Sequence, residues 1–284
     1  MVGNYAVRQN GTIVLLNAKV PTTWEQWVLF TGDRHHDSIH CARELELRHL
    51  KEAKDRGALI IDVGDMFDAM QGQYDPRRSY AELRPEYKSD DYFDEIVKDA
   101  AQFYAPFAEN FLVIGLGNHT TAVLRKSNIN LVDRLVAQLN LTTGSNVLSG
   151  AYGGWVRFLC EISHIRTSLT IRYFHGATAG GPVTKGILDV DRQAAYLPDA
   201  DVVCNGHTHT AYWTSVMRQL LNHNGNEEMR VSHFIRTPGY TRPMGARTGF
   251  YAERNPTPKP VGAIWMRVFY AGERLHAEFT PSIE

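Results

Sequence analysis

The chain has 284 residues, of which 43% are hydrophobic and 21% charged, a composition typical of a globular protein with a sizeable core. Its formal net charge of -1 excludes the global basic field that gives most non-specific affinity for duplex nucleic acid, although a local basic groove is compatible with it. Three scattered cysteines, Cys41, Cys160 and Cys204, exclude a disulfide framework and a paired-thiolate zinc site and indicate a reducing, cytosolic compartment.

A hairpin opens the predicted fold. Asn10-Gly11 lies between apolar residues in "VRQNGTIVLL", which is typical of a tight turn between two strands. The apolar run of this region, "IVLL", is too short for a secretory signal or a membrane span. We therefore expect a cytoplasmic protein with no membrane contact.

Three buried strands that alternate with helices follow the hairpin. The strands are predicted in "WVLFTGD", "ALIIDVGD" and "FLVIGLGNH". The helix between the first two is predicted to run from Asp37 or Ser38, as its N-cap, to Gly57. The next helix is predicted to begin at Ser89 or Asp90. This βαβαβ order indicates an α/β protein.

The second half of the chain is predicted to be rich in strands. "NINLVDRLVAQLN" predicts one more helix, "GWVRFLCEISHIRTSLTIRYFHG" an antiparallel pair and "ADVVCNGHTH" a further strand. "VSHFIRTPGY" and "GAIWMRVFYAGERLHAEFTP" predict the last strands. Because no repeat or linker is evident, we predict one domain over 1–284, with a motif core at 27–211 and final strands within 212–284.

Polar clusters end five of the predicted strands. They read "FTGDRHHD", "IDVGDMFD", "IGLGNH", "RYFHG" and "VCNGHTH". One cluster would fit the ordinary turn preferences of Gly and Asn. Five clusters of Asp, His and Asn at strand ends instead predict one shared site, because ligands bind at the carboxyl ends of strands in open α/β sheets.

The order of these clusters resembles the calcineurin-like metallophosphoesterase family, whose pattern is D-x-H, GD-x-x-D, GNH-D/E, a separate His and GH-x-H. The resemblance implies a four-layer α/β/β/α sandwich, with mixed central sheets flanked by helices. The matching residues are Asp33 and His35, Asp65 and Asp68, Asn118 and His119, His175, and His207 and His209.

The resemblance also implies a centre of two divalent metal ions. Such ions share a hydroxide that attacks phosphorus, and His119 would protonate the leaving oxygen as general acid. Mixed oxygen and nitrogen ligands without thiolate suit manganese, the usual activator of such relatives, and also iron, zinc, nickel or cobalt. The implied ligands are Asp33, His35 and His209 for one ion and Asn118, His175 and His207 for the other, with Asp65 bridging both.

The chain departs from the family pattern at two positions. Thr120 stands where the family usually has an Asp or Glu that orients the catalytic imidazole. Its hydroxyl can accept one hydrogen bond but carries no charge, so either another carboxylate substitutes or acid catalysis is weaker. Asp37 adds an acid to the first loop and can cap the following helix. Asp68 is expected to support a neighbouring side chain rather than to bind metal.

Substrate contacts are harder to assign, because surface cations are usually only solvated. Arg125 is our candidate for a phosphate contact, and Tyr240 in the loop "RTPGYTRP" is a candidate wall for a base, although a structural turn explains that loop equally well. The other cations considered are Arg34, Lys185, Arg236 and Arg242.

The sequence predicts a metal-dependent phosphoesterase that acts on a nucleotide or on a phosphodiester of single-stranded nucleic acid, as a nuclease does. One alternative is a phosphomonoesterase that acts on a protein or a small molecule. Another is a non-catalytic scaffold of the same fold, but such relatives typically lose ligand residues, whereas all seven positions are filled here. A single-zinc peptidase lacks support because the chain has no HExxH.

Overall fold

A computed structural model describes residues 5–69, 83–176, 188–222, 224–242 and 258–284. Two short 3₁₀ helices lie at Pro85–Tyr87 and Ala105–Asn110. The helices are α1 (Arg43–Asp55), α2 (Tyr92–Tyr104), α3 (Asn118–Ser127), α4 (Leu131–Thr143) and α5 (Leu188–Tyr196). The strands are β1 (Ala6–Asn10), β2 (Ile13–Lys19), β3 (Glu25–Thr31), β4 (Leu59–Asp62), β5 (Phe111–Ile114), β6 (Leu148–Ser149), β7 (Gly153–Ile162), β8 (Ile165–Phe174), β9 (Val202–Asn205), β10 (Tyr212–Leu221), β11 (Glu227–Arg236), β12 (Gly262–Ala271) and β13 (Arg274–Ile283).

The described strands form two mixed sheets. The first has seven strands in the order β1-β2-β7-β8-β9-β11-β10, and the second has six in the order β13-β12-β3-β4-β5-β6. Strands β3 to β6 run parallel, as do β8, β9 and β11. Parallel neighbours have their carboxyl ends at the same edge of a sheet, so the loops after them can meet.

The two sheets pack face to face, and helices cover their outer faces. Phe30 of β3 and Phe158 of β7 belong to the apolar core between the sheets. Helices α1, α2 and α4 pack on the second sheet through another cluster, which includes Ile60 and Ile96. Helix α5 packs on the first sheet through Val190. The α/β class and the four-layer order implied by the family resemblance are therefore confirmed.

The predicted elements begin and end close to the observed ones, with some corrections. Helix α1 begins at Arg43 rather than near Asp37, because residues before it are held in a loop whose amides bond elsewhere, such as His36 N to Met66 O (2.9 Å). Helix α3, helix α5 and strands β6 and β10 were not predicted. The single domain over 1–284 stays a prediction. No helix in the described ranges has both the length and the apolar character needed to cross a membrane.

A buried arginine ties β3, β4 and α1 together. Arg34 is completely buried and donates from Nε to Asp62 Oδ2 (2.6 Å), and it also forms an ion pair with Glu46 of α1. Its guanidinium lies over three aromatic rings, those of Tyr104, Phe111 and Tyr240. Burial alone would lower the pKa of Arg34, but the two facing carboxylates raise it above its ordinary value, so the charge is retained.

Replacing Arg34 by Met should destabilise the fold strongly, because it leaves Glu46 and Asp62 buried without their partner. Breaking one side of a buried ion pair costs about 3–5 kcal/mol. Urea denaturation measures this loss. The matched control is Arg134→Met, which breaks an exposed pair with Asp94 and should change the free energy of unfolding much less. Equal losses in the two variants would contradict a structural role for Arg34.

Candidate metal centre

The seven predicted ligands lie at the carboxyl ends of neighbouring strands. Loops after β3, β4, β8 and β9 carry six of them, and the seventh begins the helix that follows β5. The parallel order of the strands brings these loops to one edge of the sandwich. The ligand positions are Asp33 and His35 after β3, Asp65 after β4, Asn118 at the start of α3, His175 after β8, and His207 and His209 after β9.

One cluster contains Asp33, His35 and His209, whose ligand atoms are close enough together to hold a metal ion. The Nε2 atoms of His35 and His209 are 3.4 Å apart, and His209 Nε2 is 3.4 Å from Asp33 Oδ1. Asp33 Oδ1 is buried and has no hydrogen-bond partner among the described residues. A buried carboxylate oxygen without a donor, beside two imidazole nitrogens, fits a cation.

A second cluster surrounds His175. Its Nε2 lies 3.1 Å from Asp65 Oδ2 and 3.0 Å from Asn118 Oδ1, while its Nδ1 lies 3.2 Å from Val63 O. Because the Val63 carbonyl can only accept, Nδ1 carries the proton of the neutral ring and Nε2 presents a lone pair. Three candidate ligand atoms, His175 Nε2, Asp65 Oδ2 and Asn118 Oδ1, therefore meet at one point. The ring of His207 lies 5.2 Å from that of His175.

The carboxylates at this edge favour positive charge. Burial opposes protonation of His35, but Asp68 and Asp65 outweigh it and raise its pKa to about 9. Burial likewise opposes protonation of His175, and Asp65 and Asp33 raise its pKa to about 9. The pKa of Asp33 falls to about 2 despite burial, because His209 and His175 stabilise its anion. The site is thus electrostatically suited to a cation.

Five of the seven predicted ligands have left-handed backbone conformations, which are uncommon for residues other than glycine. Such conformations cost about 1–3 kcal/mol each and cluster at functional sites, where the surrounding fold imposes them. The positive φ angles are 47° at Asp33, 47° at His35, 54° at Asp65, 73° at His207 and 54° at His209.

His119 is held by a main-chain carbonyl. Its Nδ1 lies 2.7 Å from Asp68 O and 3.6 Å from Asp68 Oδ1. The carbonyl can only accept, so the proton of the neutral ring is on Nδ1. The other ring nitrogen, Nε2, points toward the ligand cluster and lies 3.9 Å from Asp65 Oδ2. The backbone N–H of His119 donates to Asp65 Oδ1 (3.0 Å). The proton that this imidazole can exchange is therefore on Nε2.

Thr120 has a different role from the one considered for it. Its hydroxyl accepts from Gly117 N (3.0 Å) and donates to Gly117 O (3.1 Å), which closes the first turn of α3. The imidazole of His119 instead donates from Nδ1 to the main-chain carbonyl of Asp68. Asp68 thus occupies the place of the missing Asp or Glu, chiefly through its main chain.

Asp68 and Asp37 support this part of the site. Asp68 Oδ1 lies 2.9 Å from His35 Nδ1 and leaves His35 Nε2 to face His209. Asp37 does not cap α1. Its carboxylate accepts from the amides of Asp68 (2.6 Å) and Ala69 (3.0 Å) and from the hydroxyl of Tyr92. The extra acid of the first loop therefore fixes the backbone that holds His119.

The candidate substrate residues separate into two groups. Arg125 is exposed and follows Asn118 by two turns of α3, so it lies on the same helix face as that ligand. Tyr240 is completely buried and bonds to His49 Nδ1 (2.9 Å), so a substrate-facing position for it was wrong. The reason is that the Pro/Gly loop turns its ring inward, against Arg34.

The other cations considered are engaged within the protein. Arg34 is buried as described above, Arg236 lies 3.7 Å from Asp189 and over the ring of Tyr212, and Arg242 pairs with Glu284. Lys185 lies outside the described residues.

Two residues beside the site were missed. Lys259 donates to Thr208 O (2.8 Å), between His207 and His209, and burial lowers its pKa. Tyr152 packs its ring 5.3 Å from that of His175 and donates to Gly176 O (2.7 Å). Neither belongs to a motif, so the sequence carried no signal for them.

No protein-family model matches the chain, and no curated protein matches it significantly. Solved structures do match over most of its length. Vacuolar protein sorting 29 from Cryptosporidium parvum is 15% identical, with 92% of this chain and 100% of that chain covered and a TM-score of 0.35. A metallophosphoesterase from Sphaerobacter thermophilus is 13% identical, with 91% and 90% covered and a TM-score of 0.33.

A third match is a conserved uncharacterised protein, a predicted phosphoesterase, from Streptococcus pneumoniae. It is 12% identical, with 90% of this chain and 99% of that chain covered and a TM-score of 0.31. These similarities are distant, so we base the function on the chain's own residues.

Replacing Thr120 by Val should lower the free energy of unfolding by about 1 kcal/mol, the usual cost of losing a helix-capping hydroxyl. Thr120→Ser keeps both bonds to Gly117 and should stay close to the wild type. Urea denaturation of the two variants checks this. A Ser variant as unstable as the Val variant would argue against the capping role.

Proposed function

We propose that the chain is a metal-dependent phosphoesterase that cleaves a phosphodiester of a nucleotide or of single-stranded nucleic acid. The observation that carries this proposal is the meeting of carboxylate, imidazole and amide ligand atoms from five separate loops, beside an imidazole whose Nε2 faces them. Asp33 Oδ1 is buried among them without a hydrogen-bond donor, which a merely polar core would supply. The ordered motifs resemble the calcineurin-like metallophosphoesterases, which supports the same conclusion.

Divalent ions fit the residues present. Asp33, His35 and His209 would hold one, and Asn118, His175 and His207 the other, with Asp65 between them. Bound ions would supply positive charge to the phosphoryl oxygens and activate a water for attack on phosphorus. Oxygen and imidazole ligands suit manganese, the first metal to test, and equally iron, zinc, nickel or cobalt.

His119 would act as the proton donor. With Nδ1 fixed by Asp68 O, its protonated form carries the exchangeable proton on Nε2, on the side of the ligands. Transfer of the Nε2 proton to the leaving oxygen of the ester would let the leaving group depart as a neutral alcohol rather than as an alkoxide. Asp68 orients the ring, and Asp37 holds the backbone of Asp68 in place.

The cations beside the site support a substrate with charge beyond the scissile group. Arg125 would contact a phosphoryl oxygen or a neighbouring phosphate from α3, and Lys259 carries charge on the side of His209. A diester within a nucleotide chain offers such neighbouring phosphates, whereas a simple monoester does not. Phosphomonoesters of proteins or small molecules are the alternative substrates, and a comparative turnover screen of both ester types decides between them.

Asp65→Asn should remove the bound metal and turnover together, because Asp65 is placed between the two groups of ligands. Elemental analysis after loading with manganese, together with turnover of bis-(p-nitrophenyl) phosphate, measures both. Asp94→Asn, an exposed helix residue, is the control and should keep both. A wild-type chain that binds metal yet hydrolyses no phosphoester would favour the non-catalytic scaffold instead.

His119→Ala should keep the metal and lose activity according to the leaving group. We expect a loss of about 100-fold or more in kcat on an alkyl ester, which needs the proton, and a much smaller loss on a p-nitrophenyl ester. His276→Ala changes an exposed imidazole far from the site and should have no effect. The proton-donor role would be refuted by equal losses on the two esters.

A further inference from the structure

The outer face of the first sheet is strongly basic over β1, β2, β7 and β8. On β7 the residues Val156 and Phe158 point into the core, so Arg157 between them points outward. Strand pairing places the outward residues in rows across the sheet, with Lys19, Glu161 and Arg166 in one row and Leu15, Arg157 and Thr170 in another.

Cations outnumber acids on this face. One carboxylate, Glu161, lies among the five cations and pairs with Lys19 (3.0 Å). Asp201, beside β8, is already paired with Arg230 (2.7 Å). This imbalance stands out in a chain whose net charge is -1. The five cations are Arg8 on β1, Lys19 on β2, Arg157 on β7, and Arg166 and Arg172 on β8.

A groove of about 650 Å³ lies on the same face, lined in part by Lys19, Arg157, Arg166 and Ser168. Arg157 and Arg166 are exposed at its surface. Helix α5 covers the other half of the sheet, and its apolar cluster reaches Trp155 at the start of β7. Within the described residues, the groove beyond Trp155 is therefore accessible to a partner.

Aromatic rings connect this face to the candidate metal centre. The Arg172 guanidinium lies 5.7 Å from the ring of Phe174, which lies 5.5 Å from the ring of Tyr152. The ring of Tyr152 in turn lies 5.3 Å from that of His175. Strand β8 thus runs from the basic groove at Arg166 to the ligand at its carboxyl end, over about 30 Å.

We propose that this face binds single-stranded nucleic acid and presents its backbone to the metal centre. Rows of cations along a strand, with aromatic rings at one end, match the charge and the stacking surfaces of an unpaired polynucleotide. A membrane surface fits less well, because the exposed residues that line the groove are polar, namely Asn17, Lys19, Arg157 and Arg166, while Leu159 is half-buried. The proposal rests on the phosphoesterase function, for which it names the substrate class.

Binding of a labelled oligothymidylate to the full chain, followed by fluorescence anisotropy at several salt concentrations, tests this face. The variant is the double substitution Arg157→Gln with Arg166→Gln. The logarithm of the binding constant falls linearly with the logarithm of the salt concentration, and each lost phosphate contact reduces the steepness of that line by about 0.7. Losing two contacts therefore weakens binding roughly 25-fold at about 0.1 M salt. The control is Arg134→Gln with Arg267→Gln, which removes the same charge from other surfaces and should leave binding near the wild type.

Three results would overturn the proposal: unchanged binding by the Arg157 and Arg166 variant, an equal loss in the control, or wild-type binding to anionic lipid vesicles but not to the oligonucleotide. Circular dichroism of each variant confirms that it is folded. Turnover of bis-(p-nitrophenyl) phosphate by the wild-type chain reports separately on the phosphoesterase function. A chain that binds the oligonucleotide through this face but hydrolyses no ester would retain the binding site and lose the proposed activity.

Discussion

The buried ion pairs of Arg34 are the constraint on which the candidate site depends. Arg34 lies between two ligand positions, Asp33 and His35, so its side chain must point into the core while theirs point to the sheet edge. Asp62, its partner at the end of β4, comes three residues before Asp65. One guanidinium therefore fixes the relative positions of the two loops that supply three ligands. Two carboxylates and three aromatic rings compensate for its burial.

Rigid loops are also what makes the strained backbone of the ligands tolerable. The left-handed conformations of Asp33 and Asp65 persist because their loops bond to each other, with Asp33 N donating to Gly64 O (2.8 Å) and Arg34 N to Asp65 O (2.9 Å). Glycine packing contributes, since a Cβ at Gly117 would lie 2.0 Å from Asp65 Oδ1. The close approach of Gly117 lets the amide of His119 in α3 reach the Asp65 carboxylate.

The sequence predicted most of the strands and the polar clusters at their ends because both are local patterns, apolar runs followed by short polar clusters. It did not predict the partners of individual charged residues. In the sequence alone, Arg34 resembles a loop cation, but in the fold it pairs with Glu46 and Asp62. Tyr240 likewise resembles a surface aromatic, but its loop turns the ring inward to His49. Likewise, Asp68 holds His119 chiefly through its main-chain carbonyl, a contact between distant residues that no side-chain pattern encodes.

The distribution of charge explains how an acid-rich site could act on a polyanion. Asp33, Asp65 and Asp68 are buried carboxylates that would repel a phosphate chain on their own. Bound divalent ions would make the electrostatic potential positive only within the site, because salt screens their charge at larger distances. Affinity for a long anion must then come from outside the site, and the cations of β7 and β8 lie on the strands that lead to it. Separate surfaces for affinity and for chemistry would allow a near-neutral chain to hold the backbone of the proposed substrate without neutralising the carboxylates that the metal ions would need.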